Sequence, residues 1–408
     1  MSIQDFCVLN AGQNYHVKGG SDRYQLDLGD MLSEHGHEVI PFAAESPDNI
    51  QTKWSEYFPR RVDFVQPTIG DVARYIYSFD AKKKLHKLLD KKHIDVAHLH
   101  IYYGQLTASI LSVLSNRDIP IVQTLHEYKI VCPVYTATKN SAQCTRCRPG
   151  IYGSCLRYRC NRGSLGRSLL STIESYTSLI FGSHEKISKF ICVSDYQKKI
   201  VSEMGVPERK LHTIHNFVKL DELEKNITLG DYVLYFGRIE KIKGINTLLQ
   251  ASAKLPNIPL IIVGDGGYRT ELEAIIKDKK LKHVRFLGYK SGVELSNLIA
   301  KCRFSVVPSE WPETFGLTTL ETYVKGHPVI GSRIGGIPEV ISDGCDGLLV
   351  TPGDVNELAT AIKHLWNSPK IVLAMGKSAQ LKAINTFGPE QHYSKIINIY
   401  RSIVKDGK

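Results

Sequence analysis

The sequence predicts an α/β protein made of two Rossmann-like domains, each built on a parallel sheet. Three observations lead there. Short apolar runs alternate with amphipathic helical stretches, which marks βαβ units. The alternation runs twice in succession, once to about residue 210 and again from about residue 230. Apolar runs in both halves close on glycine-bearing or polar loops, such as Gly237 after Tyr232 to Phe236 and Gly264 after Pro259 to Val263.

Each element follows from its own residues. Phe6 to Leu9 reads as the first strand, followed by a loop with Gly12, Gly19 and Gly20. A helix over about 22–35 offers Leu26, Leu28 and Leu32 to a buried face, and Gly36 is its stop. His37 to Phe42, Val96 to Leu99, Ile121 to Leu125 and Lys189 to Val193 are further strands, with helices over about 80–92, 105–116, 166–186 and 194–204. In the second series the strands are Tyr232 to Phe236, Pro259 to Val263, Val284 to Leu287, Phe304 to Val307 and Pro328 to Gly331. Helices cover Gly244 to Lys254 and Tyr268 to Lys279. The polar stretch 213–230 interrupts the periodicity. The division expected is 1–215 for the first domain and 216–388 for the second. Ligands of open α/β sheets sit beyond the carboxyl ends of the strands, so two such sheets facing each other imply a cleft lined by post-strand loops.

Composition narrows the function. The chain has 408 residues, is 42% hydrophobic and 23% charged, and so can bury a core; disorder, collagen-like and mucin-like readings fail. No uncharged apolar run approaches the ~18 residues of a membrane span. MSIQDFCVLN lacks a basic segment leading into an apolar one, so a cytoplasmic location is expected. The net charge of +11 favours an anionic partner. Nucleic acid is the weakest candidate, since no aromatic-basic module is recognisable. Charge is unevenly spread. Between Glu127 and Glu174 there is no acidic residue but eight cations (Lys129, Lys139, Arg146, Arg148, Arg157, Arg159, Arg162 and Arg167) and five of the nine cysteines.

Two segments carry chemistry. In Ser309-Glu310-Trp311-Pro312-Glu313-Thr314-Phe315-Gly316-Leu317-Thr318-Thr319-Leu320-Glu321, Glu313 and Glu321 stand eight apart. Read as one helix, that step is slightly over two turns and places both on one face. Gly316 admits a close approach at the helix start, where free N–H groups and the dipole suit a phosphate or a sugar hydroxyl. In Gly237-Arg238-Ile239-Glu240-Lys241-Ile242-Lys243-Gly244, two cations follow a strand five residues apart. Arginine offers a planar fork and lysine a mobile point charge, which together can neutralise a diphosphate without a metal.

The pair of segments resembles the retaining glycosyltransferases of family four, whose GT-B fold is two facing Rossmann-like domains, over nearly the whole chain. Glu313 to Glu321 is similar to the family's E-x7-E motif, and Gly237-Arg238 with Lys243-Gly244 to its phosphate-clamping loop. Gly264-Asp265-Gly266 and Gly335-Gly336-Ile337-Pro338-Glu339 resemble further loops, as do Lys18-Gly19-Gly20 and His126-Glu127-Tyr128. The resemblance implies transfer of a sugar from a nucleotide diphosphate donor to an acceptor hydroxyl with retention, in cell-surface polysaccharide or glycoconjugate synthesis. Arg238 and Lys243 would hold the diphosphate, and Glu321 the ribose hydroxyls. Glu313 and the amides of Phe315, Gly316 and Leu317 would hold the donor sugar, with Gly264 beside the donor. His126 would contact the sugar near the reacting carbon, and Gly19 and Gly20 would let helix amides approach the donor phosphate or the acceptor. The attacking hydroxyl would enter from the leaving-group side and give its proton to the departing phosphate oxygen. No catalytic metal is expected. A C-terminal helix, about 389–408, would cross back to the first domain. Where the family often reads Pro-Asn-Gly, this chain has His215-Asn216-Phe217.

The remaining features are read from the residues. In Val96-Ala97-His98-Leu99-His100 alternation puts both histidines on one face; His100 at the strand end is expected on the acceptor side and His98 packed. The insertion, about 129–167, holds Cys132, Cys144, Cys147, Cys155 and Cys160. Cys144-Thr145-Arg146-Cys147 has zinc-knuckle spacing, so a structural zinc on Cys144, Cys147, Cys155 and Cys160 is one reading, with Cys132 as a rival ligand. Unligated thiols and disulfides are the others. The same basic insertion, with Tyr152, Tyr158 and Leu165, suits an anionic membrane surface on the inner face of the plasma membrane, where a lipid-linked or saccharide acceptor would be met. Two rival functions stay open: a nucleotide-sugar epimerase on the same fold, and a non-catalytic nucleotide-sugar-binding protein.

Overall fold

The computed structural model describes residues 5–139, 142–220, 223–224 and 227–404. It divides into two compact units. One takes in the described residues to Lys139, Gln143–Ile214 and those from Tyr393 onward; the other is His215–His392.

The first unit opens with β1 (Cys7–Ala11), α1 (Gly20–Glu34), β2 (Glu38–Phe42), α2 (Ile69–Ile76), α3 (Phe79–Lys91), β3 (Val96–Leu99), α4 (Ser109–Ser115) and β4 (Ile121–Leu125). The insertion follows, with the two-residue strands β5 (Thr138–Lys139) and β6 (Ala142–Gln143), then α5 (Gly153–Arg157) and α6 (Leu165–Ile180). β7 (Lys189–Cys192), α7 (Asp195–Glu203) and β8 (Leu211–Thr213) complete the series. The sheet is parallel throughout in the order β2-β1-β3-β4-β7-β8. Its inner strands β1, β3 and β4 are almost wholly buried, and they carry Asn10, His98, Gln123 and Thr124 among apolar residues. Ser164 and Ser194 cap α6 and α7 by accepting the backbone N–H of Arg167 and Gln197.

The second unit holds β9 (Val233–Phe236), α8 (Ile245–Ala253), β10 (Leu260–Val263), α9 (Arg269–Asp278), β11 (Val284–Phe286), α10 (Gly292–Ala300) and β12 (Phe304–Val307). Then come α11 (Leu317–Val324), β13 (Val329–Ser332), α12 (Ile337–Val340), β14 (Gly347–Val350), α13 (Val355–Asn367) and α14 (Pro369–Phe387); α15 (Pro389–Ile403) begins here and from Tyr393 onward belongs to the first unit. Its parallel sheet has the order β11-β10-β9-β12-β13-β14. Val233, Leu248, Leu260, Ile262, Phe304 and Ile330 are among the residues of its core. Each such side chain taken from water contributes ~1.5–3 kcal/mol.

Both sheets reverse direction once. The reversal falls between β1 and β3 in the first and between β9 and β12 in the second. Such switch points leave a crevice at the carboxyl ends of the strands, where ligands of this architecture bind.

Several expected elements shift. The helix expected over 105–116 starts at Ser109, because Thr107 takes a positive φ of 61° and breaks the run before it. The helix over 166–186 stops at Ile180, and Gly182 with φ of 95° follows. Glu313 lies four residues before α11, so the reading of Glu313 and Glu321 on one face of one helix is corrected: only Glu321 is helical. Phe217, where the family often has glycine, has no positive φ; it is buried, and its ring stacks on His392 at 4.5 Å. No helix among the described residues is long and apolar enough to cross a membrane.

Candidate functional site

At the switch point of the second unit, the loops after β9 and β12 bring charge together. Lys243 Nζ donates to Glu313 Oε1 at 2.6 Å, and both side chains are mostly shielded from water. Ser309 Oγ donates to the same carboxylate oxygen. The Lys243 ammonium lies 5.4 Å from the centroid of the Trp311 ring, a cation–π contact. The Gly335-Gly336 loop fixes the backbone of Glu313, because Gly336 N donates to Glu313 O at 2.8 Å. Thr247 Oγ1 on α8 donates to Glu310 Oε1, and the Glu310 N–H ties it to the other loop by donating to Ile242 O. Arg238 is different: half-exposed, it pairs with Glu240 at 3.1 Å.

Two glycines shape this loop cluster. Gly264 after β10 has φ of 137°, and a Cβ there would stand 1.9 Å from Gly237 O, so only glycine lets the two strand-end loops touch. Gly316 caps α11 with φ of 101°. Phe315 beside it is buried against Phe387 at 5.8 Å, so its side chain anchors the loop in the core. The N–H groups of Leu317 and Thr318 open the helix and have no carbonyl four residues back within it. The dipole there favours an anion. Glu321 sits one turn further along, partly buried.

The first unit's switch point carries histidines instead of ion pairs. Asn10 at the end of β1 donates from Nδ2 to Gln25 O at 2.9 Å, which leaves its Oδ1 as an acceptor. His100 Nε2 is 2.9 Å from that oxygen and so carries its proton. His100 Nδ1 is then an acceptor for His126 Nε2 at 3.1 Å. The chain Asn10–His100–His126 therefore fixes one tautomer for each ring. The Tyr24 ring meets His126 edge-on at 5.0 Å. Burial pushes the His126 imidazole down to about 3, and lowers His100 well below its usual range, helped by the charges His98 and His126 would carry. Both rings are neutral near pH 7. His98 is buried between Thr124 and Tyr400, at 2.7 and 2.6 Å. Its ring is stacked on that of His100 at 4.7 Å, so the two do share a face. Gly19 caps α1 and Gly20 is its first residue. Gly19 N donates to Asp22 Oδ2 at 3.0 Å, and a Cβ on Gly19 would meet nothing closer than 3.9 Å, so the fold itself does not demand glycine there.

Sequence profiles identify both halves. Glycosyltransferase Family 4 matches residues 18–222, and Glycosyl transferases group 1 matches residues 222–382. The chain belongs to glycosyltransferase family 4. Among curated relatives of this glycosyltransferase, N-acetyl-alpha-D-glucosaminyl L-malate synthase of Bacillus anthracis is 24% identical over 97% of each chain. Phosphatidyl-myo-inositol mannosyltransferase of Mycobacterium leprae is 25% identical over 97% of this chain and 96% of that one. Among solved structures, sucrose-phosphate synthase of Thermosynechococcus elongatus aligns with a TM-score of 0.72 at 20% identity, covering 98% of this chain and 99% of that one. HepE of Anabaena, solved with UDP-glucose, aligns with a TM-score of 0.65 at 19% identity over 97% and 100%. These likenesses place the glycosyltransferase in the GT-B fold.

Lys243, Gly264, Glu313, Phe315, Gly316, Leu317 and Glu321 thus lie on loops or helix starts at one sheet end of the second unit, with Arg238 on the same loop as Lys243 but turned to Glu240. His100 and His126 are brought into contact in the first unit. Cys132, Cys144, Cys147, Cys155 and Cys160 line one small void in that unit. Of the eight cations in the acid-free stretch, Lys129 is not at the surface: it is buried against Glu174 at 2.5 Å, and its Nζ also donates to Pro133 O. Asn10 and Tyr24 were not visible as partners of the histidines. The available signal was Asn10 itself, a polar residue closing an apolar strand.

Proposed function

We propose that this glycosyltransferase moves a sugar from a nucleoside diphosphate donor to an acceptor hydroxyl with retention of anomeric configuration. The observation that carries the reading is the Lys243–Glu313 pair at the switch point of the second sheet, set beside the α11 N-terminus. Lys243 and Arg238 neutralise the departing diphosphate, and the α11 N–H groups donate to its oxygens. Glu313 and the backbone of Phe315, Gly316 and Leu317 hold the donor sugar, and Glu321 holds the ribose. His126, neutral with its proton on Nε2, accepts from a sugar hydroxyl through Nδ1 without adding charge. The acceptor hydroxyl attacks on the leaving-group side and passes its proton to the phosphate oxygen, so no protein nucleophile is consumed. UDP-sugars are the first donors to test, since the HepE structure holds UDP-glucose.

The reading extends to an acceptor presented at a membrane surface in glycoconjugate synthesis. Leu165, Leu169, Ile173 and Ile180 form an exposed apolar stripe on α6, and α2, which packs on α6, adds exposed Ile69 and Val72. Exposed Arg157, Arg159 and Arg162 precede α6 in the chain, and exposed Arg167 lies in its first turn. Apolar insertion with basic attraction to anionic lipid is the combination that peripheral helices use.

The experiment is a screen of nucleotide sugars for diphosphate release, with and without hydroxyl acceptors, followed by NMR of the product's anomeric configuration. Acceptor-dependent release with a retained anomer supports the reading. Conversion of the donor alone, without acceptor, would replace it by an epimerase; tight donor binding with no turnover would replace it by a binding protein. Flotation with phosphatidylglycerol vesicles tests the membrane extension: an Arg157/Arg159/Arg162 charge-removal variant that floats as well as wild type rejects it.

A further inference from the structure

Five cysteines scattered over the insertion converge on one place. Cys132, Cys144, Cys147, Cys155 and Cys160 line a void of about 20 Å³. That is room for a single water-sized body. None of the five is in a disulfide. Cys147 lies within electrostatic reach of the other four sulfurs.

The segment around the void has little regular structure. Its regular structure is the β5–β6 ribbon and the five-residue α5. Its apolar cluster is Cys147, Tyr152 and Cys155, with Val134, Cys160, Tyr176 and Leu179 packed on it. Tyr135, Ala137, Arg159 and Arg162 all take positive φ, four of the seven such non-glycine residues described. Each is an unfavourable conformation that persists only where something else fixes the chain. The Cys132 sulfur accepts backbone N–H bonds from Val134 and Ala137. Backbone N–H donors of this kind are the outer-shell partners that a metal-bound sulfur takes. Lys139 and Arg146 also line the void.

We propose that this void is a structural zinc site, in which one Zn²⁺ is held by the Cys144–Cys147 knuckle and by two of Cys132, Cys155 and Cys160. Binding releases four thiol protons and leaves a tetrathiolate of charge 2−, which Lys139 and Arg146 offset. No three of the five sulfurs lie within 4.8 Å of one another in the structure. Tetrahedral zinc with Zn–S of about 2.3 Å places its sulfurs about 3.8 Å apart, so the ion draws the thiols inward. The consequence reaches the functional site of the first unit. Cys132 lies on the same post-β4 segment as His126, and with Cys132 among the ligands the metal ties that segment to the Cys144–Cys147 knuckle.

The test is elemental analysis of the full chain, purified under reducing conditions, with Co²⁺ exchange as an independent readout. The expected result is one zinc per chain, and on Co²⁺ exchange the thiolate charge-transfer and visible bands of a tetrahedral site. Cys144→Ser and Cys147→Ser abolish both, while one of the three remaining serine variants retains them. Chelation lowers the thermal midpoint of the wild-type chain without requiring any substitution. Wild-type protein with no stoichiometric metal and no cobalt spectrum overturns the site, as does a disulfide among these five cysteines in the natively folded, alkylated protein. Full retention of zinc by Cys147→Ser also overturns it.

Discussion

The two units share a topology and differ in what they place at the end of it. Each is a six-stranded parallel sheet with one reversal of strand order. At the first reversal stand neutral rings, His100 and His126, with protons fixed by Asn10. At the second stand ions, Lys243 on Glu313, beside a helix N-terminus. The contrast teaches that the scaffold supplies only a position, and that a few loop residues decide whether the position suits a neutral hydroxyl-bearing group or a multiply charged one.

The largest effect is expected where the ionic half is dismantled. Gly264→Ala drives a methyl into Gly237 O, so the loops after β9 and β10 must separate and donor turnover falls by more than about 100-fold. Nucleotide-sugar kinetics beside circular dichroism reads this out. Lys243→Ala comes next. A charged contact of ~1.5–3 kcal/mol corresponds to a loss of about 10–150-fold in kcat/KM. Because the variant also strands the buried Glu313 carboxylate, Lys243→Ala/Glu313→Gln should be thermally more stable than Lys243→Ala alone. Equal melting of the two variants would break the claim that this pair is a coupled unit.

How much of this could be read from the chain depends on the kind of residue. The parallel sheets were legible because buried strands such as Leu260–Val263 and Phe304–Val307 are continuously apolar. The charged residues after β9 and β12 were legible through their spacing. The helical placement of Glu313 was misread, since Gly316 in a left-handed conformation starts α11 later than the pattern suggests. The histidine chain was only half visible. Alternation put His98 and His100 on one face, but the contact of His100 with His126 comes from β3 and β4 lying side by side, which no local spacing encodes. The convergence of the cysteines is likewise a long-range product of the turns at Tyr135, Ala137 and Arg159.

The neutral half makes its own prediction in pH. Burial holds His126 at about 3 and His184 at about 4, against an ordinary 6.5. Between those limits the unfolded chain binds protons that the native chain refuses. Stability is therefore fully present above about pH 6.5 and falls as pH drops below it. Urea midpoints should decrease from neutral pH to about pH 5. His126→Gln should flatten part of that dependence, and an unchanged slope would show that His126 is not held neutral by burial. The smallest effect is expected from Arg238→Ala. This side chain is half-exposed and already paired with Glu240, so kcat/KM should fall about tenfold or less.

The most direct measurement is calorimetric titration of UDP and other nucleoside diphosphates into the wild-type chain, Lys243→Ala and His126→Ala. The account predicts binding that weakens at least about tenfold in Lys243→Ala and stays within about threefold in His126→Ala. Undiminished diphosphate binding by Lys243→Ala, or its loss in His126→Ala alone, would contradict the division of labour between the ionic and the neutral sheet ends.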